Sequence, residues 1–490
     1  MKSHYPKIAQ FKSVDQLRER LAVLAIGLPV DDEILTANAG SPLARSIEIA
    51  GFTVGNHWCI HPMEGWDAQS DGSPSAHTLR RWRNFGRSGA KLIWGGEAAA
   101  VMPSARANPR QTLATPENRA GLAALLNAVT RSHEEHFGDA SDLWIGLQLT
   151  HSGRFCRPNG PRLEPRIAYH HPLLDARFGL DPSDPALVVS DAEMERVIDA
   201  YCVAAGVARA VGFHFVDIKA CHGYLLHEFL SARARPGKFG GDLAGRTRAL
   251  TTIIERVRSA HSDLAVGVRL SVFDTVPYQA SLGVGEPLPY ADRLPYQLGF
   301  GVDAQNPLAA DLSEPIELIR RLWKLGVAAV NITAGSPYYC PHVQRPAIFP
   351  PSDGYLPPED PLVGVWRHID AARQCKQAVP EMVMVGSGYT YLQDYLPHVA
   401  QAVVRQGWID AVGLGRMALA NPGLPADCLA TGRLARKQIC RTFSDCTTGP
   451  RQGFISGCFP LDPYYKALPE ATELKTIKTV SEHPDPRDGP

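Results

Sequence analysis

Short apolar runs rich in β-branched and aromatic residues recur along the chain, and most are followed by a stretch in which apolar residues return every three or four positions. The first pattern predicts buried strands and the second predicts amphipathic helices. We interpret eight runs as strands, at residues 53–60, 91–94, 143–147, 213–218, 265–270, 328–332, 382–385 and 409–412. Clear helical stretches lie at 191–210, 246–260, 315–325 and 392–406.

Strands that alternate with helices and are apolar on both faces indicate a parallel sheet covered by helices. Eight such units predict an α/β fold closed into a (β/α)8 TIM barrel, and a doubly wound open sheet is the alternative. We expect the barrel at residues 34–438, after an N-terminal segment at 1–33 and before a C-terminal extension at 439–490.

Two segments depart from this repeat. Residues 273–306 are rich in Pro, Gly, Tyr and Leu without clean periodicity, which predicts an elaborated loop after the fifth strand. This loop is either a lid over the substrate or an insertion with no part in the site. The tail after Ala471 is polar and ends in HPDPRDGP, so we expect it to be disordered or loosely docked.

The charge balance narrows the choice of partner. With 50 basic and 50 acidic residues, the chain has no net field to attract nucleic acid or an anionic membrane, which favours a small-molecule substrate. We find neither a secretory signal nor a run of about 20 apolar residues, so a cytoplasmic protein is expected. Self-association is left open.

Residue types with catalytic and binding chemistry cluster where the predicted strands end. In a (β/α)8 barrel the active site lies at the carboxyl ends of the strands. The candidates at those positions are Pro62, Met63, Glu64, Ala98, Gln148, Lys219, His222, Tyr224, Arg269, Gly386, Ser387, Gly388, Gly415 and Arg416.

The last two strands end in the glycine-rich sequences VGSGY and VGLGR. Glycines allow backbone N–H groups to approach a ligand closely, and Arg416 can form two hydrogen bonds to a phosphate. A phosphate site after strands 7 and 8 is common on this fold. The glycines are also compatible with tight turns alone, but no GxGxxG dinucleotide fingerprint follows a first strand.

Several longer motifs resemble the old yellow enzyme family of FMN-dependent oxidoreductases. They are HPMEG, LQLTHSGR, VDIKACHGYLLHEFLSARARPGKFGGDLAGRTR, GVRLS and VGLGRMALANP, in matching order and on matching strands. The resemblance covers residues 34–460, and its most specific part is the pair HGYLLHEFLS and FGGDLAGR.

The resemblance implies FMN at the carboxyl end of the barrel. Pro62, Met63, Glu64 and Ala98 would then line the flavin, and Gln148 would hydrogen-bond its pyrimidine edge. Arg269 would face the side of the ring where negative charge develops on reduction, a sensible place for a cation. Gly388, Gly415 and Arg416 would bind the phosphate, and Gly386 and Ser387 would also belong to the cofactor site.

It also implies a reductase that takes hydride from NADH or NADPH and reduces an activated C=C bond. His222 and Lys219 would polarise the activating carbonyl group, and Tyr224 would protonate the α-carbon. Lys219 departs from the neutral residue of many relatives and is compatible with an electron-rich substrate. Alternatively Lys219 only neutralises the flavin or pairs with Glu64 or Glu97.

Three late cysteines, Cys440, Cys446 and Cys458, are similar to the iron–sulfur segment of the larger 2,4-dienoyl-CoA reductase branch. The front half of that motif is degraded, because Thr442 stands where a ligand is expected, and the further C-terminal domains of those relatives are not expected. Reduced structural cysteines without an iron–sulfur cluster are therefore favoured over a three-cysteine metal site with an outside ligand.

Three other functions stay open. The first is an FMN-dependent amine dehydrogenase or demethylase of the same fold. The second is a flavin-free barrel hydrolase that uses Glu97, His151 and His222. The third is an inert barrel that serves as a binding subunit.

Overall fold

The computed structural model describes residues 5–482, and within them eight parallel strands close into a barrel. The strands are β1 (Ile47–Ile49), β2 (Phe52–Val54), β3 (Trp58–Ile60), β4 (Leu92–Ile93), β5 (Ala98–Ala100), β6 (Trp144–Thr150), β7 (Phe215–Ala220), β8 (Ala265–Ser271), β9 (Tyr278–Ser281), β10 (Val284–Pro287), β11 (Ala329–Thr333), β12 (Val383–Gly386) and β13 (Ala411–Leu414). The barrel order is β3, β4, β6, β7, β8, β11, β12 and β13, and β13 pairs back onto β3. The predicted barrel is confirmed and the open sheet is wrong.

The first two barrel strands differ in detail from the prediction. Thr53 belongs to an antiparallel hairpin of β1 and β2 that precedes the barrel, so the first barrel strand begins at Trp58. The second barrel strand is interrupted at Gly95 and Gly96, which both have positive φ, and resumes as β5. A Cβ atom at Gly95 would lie 2.7 Å from the backbone nitrogen of Gln148, so the close approach to β6 requires glycine.

The helices surround the barrel. They are α1 (Val14–Val23), α2 (Ala76–Gly86), α3 (Arg119–Phe137), α4 (Pro172–Phe178), α5 (Asp191–Val211), α6 (Leu225–Leu230), α7 (Leu243–Ala260), α8 (Ser313–Lys324), α9 (Pro341–Gln344), α10 (Pro361–Ala378), α11 (Leu396–Arg405), α12 (Arg416–Ala420), α13 (Leu424–Thr431), α14 (Asp445–Arg451), α15 (Pro463–Lys466) and α16 (Glu470–Glu482). Ser190 and Asp242 cap α5 and α7 by accepting backbone N–H groups. The predicted helical stretches correspond to α5, α7, α8 and α11. No helix between residues 5 and 482 is long and apolar enough to cross a membrane.

An aromatic cluster fills the interior of the barrel near the amino ends of the strands. The Phe215 ring stacks on Trp144 at a centroid distance of 4.1 Å and meets Trp94 edge-on at 5.2 Å. A Cβ atom at Gly146 would lie 2.3 Å from the Phe215 ring, so this glycine makes room for the cluster. The filled interior leaves only the opposite mouth of the barrel available for a ligand.

The insertion at 273–306 contains the antiparallel hairpin of β9 and β10. It packs beside the loop that follows β11, where Gly285 N donates to Leu356 O at 3.0 Å and the Tyr278 ring meets His342 at 4.4 Å. None of its residues lines the main cavity of the described chain. The choice between a lid and an insertion with no part in the site stays a prediction.

The C-terminal extension is more ordered than its composition predicts. The tail after Ala471 was expected to be disordered or loosely docked, and Glu470–Glu482 is a helix whose Ala471 and Leu474 pack on Ile455 and Phe459. Up to residue 482 the tail is therefore docked, because a few apolar positions suffice to dock a helix. The sequence HPDPRDGP lies outside the described residues.

We expect replacement of Phe215 by alanine to lower the free energy of unfolding by about 3–5 kcal/mol, the usual cost of deleting a buried aromatic ring. The ring is fully buried between two tryptophans, and so a cavity would remain. Urea denaturation followed by circular dichroism measures the change. Leu282→Ala is the matched control, because Leu282 is 99% exposed and its loss should change stability by less than about 0.5 kcal/mol. A loss below about 1 kcal/mol for Phe215→Ala would contradict this account of the interior.

Candidate active site

A cavity of about 840 Å³ opens at the carboxyl ends of the barrel strands. Among the residues predicted from the sequence, those on its wall are Pro62, Met63, Glu64, His222, Tyr224, Arg269, Ser387, Gly388, Gly415 and Arg416. Those that lie behind the wall are Ala98, Gln148, Lys219 and Gly386. Most of the candidates therefore converge on one cavity, although they come from the ends of five different strands.

One end of the cavity carries two neighbouring arginines. Arg416 follows β13, and its Nη2 donates to Pro346 O at 3.0 Å, whereas its buried Nη1 has no partner among the described residues. Arg345, which the sequence analysis missed, lies in the loop after β11 and is 9% exposed. It donates to the hydroxyl groups of Thr447 and Ser444. Neither guanidinium has a carboxylate partner in the part of the chain described.

The electrostatics of this pair favour the binding of an anion. Burial, together with the charge of Arg416, lowers the pKa of Arg345 to about 9, and burial also lowers the pKa of Arg416. Two partly desolvated cations side by side are costly unless an anion compensates them. The wall beside them contains Ser387, Gly388 and Gly415. A phosphate group satisfies both guanidinium groups and matches the site predicted after the last two strands.

A buried histidine fixes the wall next to this anion site. His61 Nδ1 lies 3.0 Å from Asn331 Nδ2, and His61 Nε2 lies 3.1 Å from Ser387 Oγ. A Cβ atom at Gly413 would lie 2.0 Å from His61 Nε2, so that strand end must be glycine for the ring to fit. The motif HPMEG contains this histidine, but its role as a support became visible only from the contact between distant strands.

Gln148 and Arg269 are connected through a buried carboxylate. Gln148 Nε2 donates to one oxygen of Asp217 at 2.5 Å, and the backbone nitrogen of Arg269 donates to the other at 2.6 Å. Burial raises the pKa of Asp217 to about 6. The buried Nε of Arg269 has no partner between residues 5 and 482, which leaves it available to a group in the cavity.

Two tyrosines form a hydrogen-bonded pair at the cavity wall. The hydroxyl groups of Tyr224 and Tyr338 lie 3.0 Å apart. Tyr224 is 5% exposed and precedes α6, whereas Tyr338 is only partly buried and stacks on Phe155 at 3.8 Å. Burial raises the pKa of both phenols, so both carry their protons at neutral pH. Tyr338 is a second residue that the sequence analysis missed.

The His222 side chain reaches the cavity from a left-handed backbone conformation with φ of 66°. Burial lowers its pKa well below the usual range, so the ring is neutral. Its Nε2 lies 3.3 Å from Gln344 Nε2 and 3.2 Å from Thr333 Oγ1. Because an amide NH₂ group only donates, the proton of the neutral ring lies on Nδ1, which leaves one N–H donor.

Lys219 lies under Tyr224 instead of facing the cavity. Its Nζ is 3.9 Å from the centroid of the Tyr224 ring, within the range of a cation–π interaction. Burial lowers the pKa of Lys219 and raises that of Glu64 to about 8, and Glu64 accepts a hydrogen bond from Asn108 at 3.0 Å. The alternative that Lys219 pairs with Glu97 is wrong, because Glu97 is held by Arg81 at 2.5 Å.

The residues of the hydrolase alternative do not meet. Glu97 accepts hydrogen bonds from Arg81 and from the backbone of Gly65, and His151 Nδ1 accepts from Gly153 N. Of its three proposed residues only His222 lines the cavity. The geometry therefore does not support a hydrolytic constellation.

Of the three late cysteines, Cys440 and Cys446 lie near Arg416, and Cys458 lies near those two. Cys440 and Cys458 are buried, and Cys446 is partly buried on the cavity wall. Within residues 5–482 no group of three or more His, Cys, Asp or Glu side chains has an arrangement that could hold a metal ion. The expectation of structural cysteines stays a prediction.

The donor set of the cavity fits FMN. Arg345 and Arg416 are suited to a phosphate monoester, and Arg269 has an unpartnered N–H group on the wall of the same cavity. The volume is in the range of pockets that bury small cofactors and substrates. Fold and donor set together fit the class of barrel oxidoreductases that use a phosphorylated flavin.

The comparison with known proteins agrees with this class. Residues 98–283 match the model of the NADH:flavin oxidoreductase / NADH oxidase family. The chain is 25% identical over 394 residues to an NADH:flavin oxidoreductase of Gibberella zeae, which covers 77% of this chain and 83% of that protein. It is 28% identical over 239 residues to the NADPH dehydrogenase of Bacillus subtilis, and this alignment covers 47% of this chain and 64% of that protein.

Solved structures share the fold. A 2-naphthoyl-CoA reductase complex aligns with a TM-score of 0.64 and 18% identity over 89% of this chain, and the aligned part spans 58% of that protein. The old yellow enzyme homologue of Zymomonas mobilis aligns with a TM-score of 0.55 and 22% identity over 81% of this chain and 94% of the other. The chain is therefore similar in sequence to NADH:flavin oxidoreductases, with the family model matching residues 98–283, and it shares its barrel fold with the old yellow enzyme homologue.

We expect Arg416→Gln and Arg345→Gln each to weaken FMN binding by about tenfold or more, because each removes a charge-assisted hydrogen bond to phosphate. Titration of the flavin-free protein with FMN, followed by flavin fluorescence, measures the dissociation constant. Riboflavin, which lacks the phosphate, is the matched ligand, and its affinity should change little. An equal loss for both ligands would contradict the assignment of these arginines to the phosphate.

The raised pKa of Glu64 predicts a pH-dependent stability. In the folded protein Glu64 keeps its proton until about pH 8, whereas in the unfolded chain it ionises near its ordinary value of 4.5. Stability should therefore fall between these pH values, and Glu64→Gln should remove this loss. Denaturation of the FMN-loaded variant and wild type across this range should show a difference that grows with pH. The exposed Glu135→Gln should show none, and a constant difference for Glu64→Gln would refute the prediction.

Proposed function

We propose that this protein is an FMN-dependent reductase that uses NADH or NADPH to reduce an activated C=C bond. The observation that carries the proposal is that the Tyr224 hydroxyl and the His222 ring lie on the wall of the cavity that also contains the Arg345 and Arg416 anion site. FMN, when bound, supplies hydride transfer between a nicotinamide donor and an acceptor. The side chains of the protein supply binding, polarisation and a proton.

His222 is suited to polarise the activating carbonyl group of the acceptor. Because the ring is neutral and Nε2 accepts from Gln344, its Nδ1–H is a hydrogen-bond donor that does not carry a permanent charge. A neutral donor suits an oxygen that gains negative charge only as the reaction proceeds. Arg269 supplies a fixed positive charge on the same wall, where reduction adds negative charge.

Tyr224 is suited to deliver a proton to the α-carbon of the acceptor. The buried phenol stays protonated at neutral pH, and its hydroxyl group contacts that of Tyr338 at 3.0 Å. Tyr338 is partly exposed, so it can return a proton to Tyr224 from solvent. The two hydroxyl groups therefore form a short path from solvent to the reacting carbon.

Lys219 takes a different role from the one implied by the family resemblance. Its ammonium lies against the Tyr224 ring at 3.9 Å and behind the cavity wall, so we propose that it orients the phenol and does not contact the carbonyl oxygen. A cation on the ring face also favours the transfer of a proton away from the hydroxyl group. Lys219 is thus a positioning residue in this proposal.

Two finer points remain proposals. The likeness of the fold to 2-naphthoyl-CoA reductase supports the branch of the larger CoA-ester reductases. The location in the cytoplasm rests on the sequence alone.

We expect Tyr224→Phe to slow the reoxidation of reduced flavin by an enone by about 10²- to 10⁴-fold, because general-acid help is lost. Reduction of the flavin by NADH should keep its wild-type rate. Anaerobic stopped-flow absorbance of the FMN-loaded protein separates the two half-reactions. Tyr391→Phe, which removes a buried hydroxyl group without a described partner away from the cavity, is the control.

Two outcomes would refute the proposed function. A wild-type flavin that neither NADH nor NADPH reduces would favour the amine dehydrogenase alternative. A reduced flavin that no enone reoxidises faster than buffer alone would exclude reduction of C=C bonds.

A further inference from the structure

The cavity wall has more positive charge than FMN can neutralise. Seven arginines line it: Arg110, Arg157, Arg177, Arg269, Arg345, Arg416 and Arg451. The carboxylates on the wall are Glu64, which stays protonated to about pH 8, and Asp353, which forms an ion pair with Arg451.

A phosphate between Arg345 and Arg416, and the reduced flavin ring at Arg269, account for three of the remaining cations. Arg110, Arg157 and Arg177 are left over. The side chains of Arg110 and Arg157 have no hydrogen bond or ion pair in the described chain, and Arg177 donates only to the backbone oxygens of Tyr278 and Tyr338. Unpaired cations concentrated in one cleft produce a field that attracts anions.

Two of these arginines, Arg157 and Arg177, lie beside the outer tyrosine of the proposed proton path, and Arg110 lies on the same cavity wall. Arg177 Nη2 lies 3.5 Å from Tyr338 O, and the charge of Arg157 acts on the Tyr338 hydroxyl group and favours its ionised form. Arg110 follows Asn108, the hydrogen-bond partner of Glu64, on the same wall. A molecule that reacts at Tyr224 would therefore extend toward these three cations.

We propose that Arg110, Arg157 and Arg177 bind an anionic group, a carboxylate or a phosphate, on the molecule that reacts in this cavity. This inference rests on the proposed function, because it requires a reactant beside the flavin. This anionic group belongs either to the acceptor or to the nicotinamide donor, and the arginines would bind it in the same way in both cases. Arginine is suited to both, since its planar guanidinium group binds carboxylate and phosphate through two parallel hydrogen bonds.

The first arm of the test measures acceptor binding without turnover. We would titrate the oxidised, FMN-loaded protein with (E)-4-oxo-4-phenylbut-2-enoate and with its methyl ester by calorimetry, in the absence of a donor. We expect the carboxylate to bind about tenfold more tightly than the ester, and this advantage to fall as salt is added. The double variant Arg110→Gln/Arg157→Gln should lose the advantage and bind the ester as before.

The second arm measures the donor. Stopped-flow reduction of the flavin would compare NADPH with 1-benzyl-1,4-dihydronicotinamide, which has no phosphate. If the anionic group belongs to the donor, the double variant should raise the apparent dissociation constant of NADPH about tenfold. The apparent dissociation constant of the benzyl compound should not change.

Two control variants keep the test independent of folding. Arg110→Lys/Arg157→Lys retains the charge and should retain much of the advantage, whereas Arg131→Gln removes an exposed arginine outside the cavity and should change nothing. A charge-dependent loss in either arm supports the proposal and identifies the source. The proposal is overturned if wild type shows no preference for the charged probe in either arm. It is also overturned if the double variant loses equal affinity for charged and neutral probes.

Failure of the proposed function has a different signature. It would appear in wild type as a flavin that the neutral benzyl donor does not reduce, or that the methyl ester does not reoxidise. The calorimetric comparison of carboxylate and ester does not depend on turnover, so it still decides whether the three arginines bind an anion.

Discussion

Uncompensated positive charge at one mouth of the barrel is the physical constraint from which the rest of the site follows. Arg345 and Arg416 are partly or fully buried, lie close enough for one to lower the pKa of the other, and have no described carboxylate partner. A folded protein pays several kcal/mol to desolvate such a pair unless an anion binds between them. The arrangement is therefore that of a protein whose stable form includes an anionic ligand, and loading with FMN should be coupled to stability.

The barrel explains why these charges can be held together. Eight parallel strands point their carboxyl ends toward one mouth, so side chains from distant parts of the sequence share a cavity without a long flexible loop. The aromatic cluster of Trp94, Trp144 and Phe215 fills the interior below and gives the mouth a rigid base. Glycines at Gly95 and Gly413 let adjacent strands and the His61 ring approach within distances that a Cβ atom would forbid.

The sequence predicts the fold well because the signal is local. The eight apolar strands and four of the helices can be recognised within windows of about ten to twenty residues, and the strand ends then indicate where the candidate residues lie. Ten of the fourteen predicted residues line the cavity, but the sequence does not reveal which way a strand-end side chain points. Lys219 shows the limit, because its ammonium turns under the Tyr224 ring and away from the cavity.

Residues that enter the site through long-range packing are not predictable from local pattern. Arg345 lies in the irregular loop after β11, and it is held by Ser444 and Thr447 of the C-terminal extension, about one hundred residues away. Tyr338 comes from the same loop and becomes meaningful only when its hydroxyl group meets that of Tyr224.

The C-terminal extension supports the anion site. Its Thr447 and Ser444 hydroxyl groups hold the Arg345 side chain, and Arg451 forms an ion pair with Asp353 on the opposite side of the same loop. The extension thus connects the phosphate site to the loop that contains Tyr338. Arg345 and Asp353 of that loop are both held by side chains of the extension. Disorder in either the loop or the extension would loosen the phosphate site and the proton path together, so the two are expected to order as one unit.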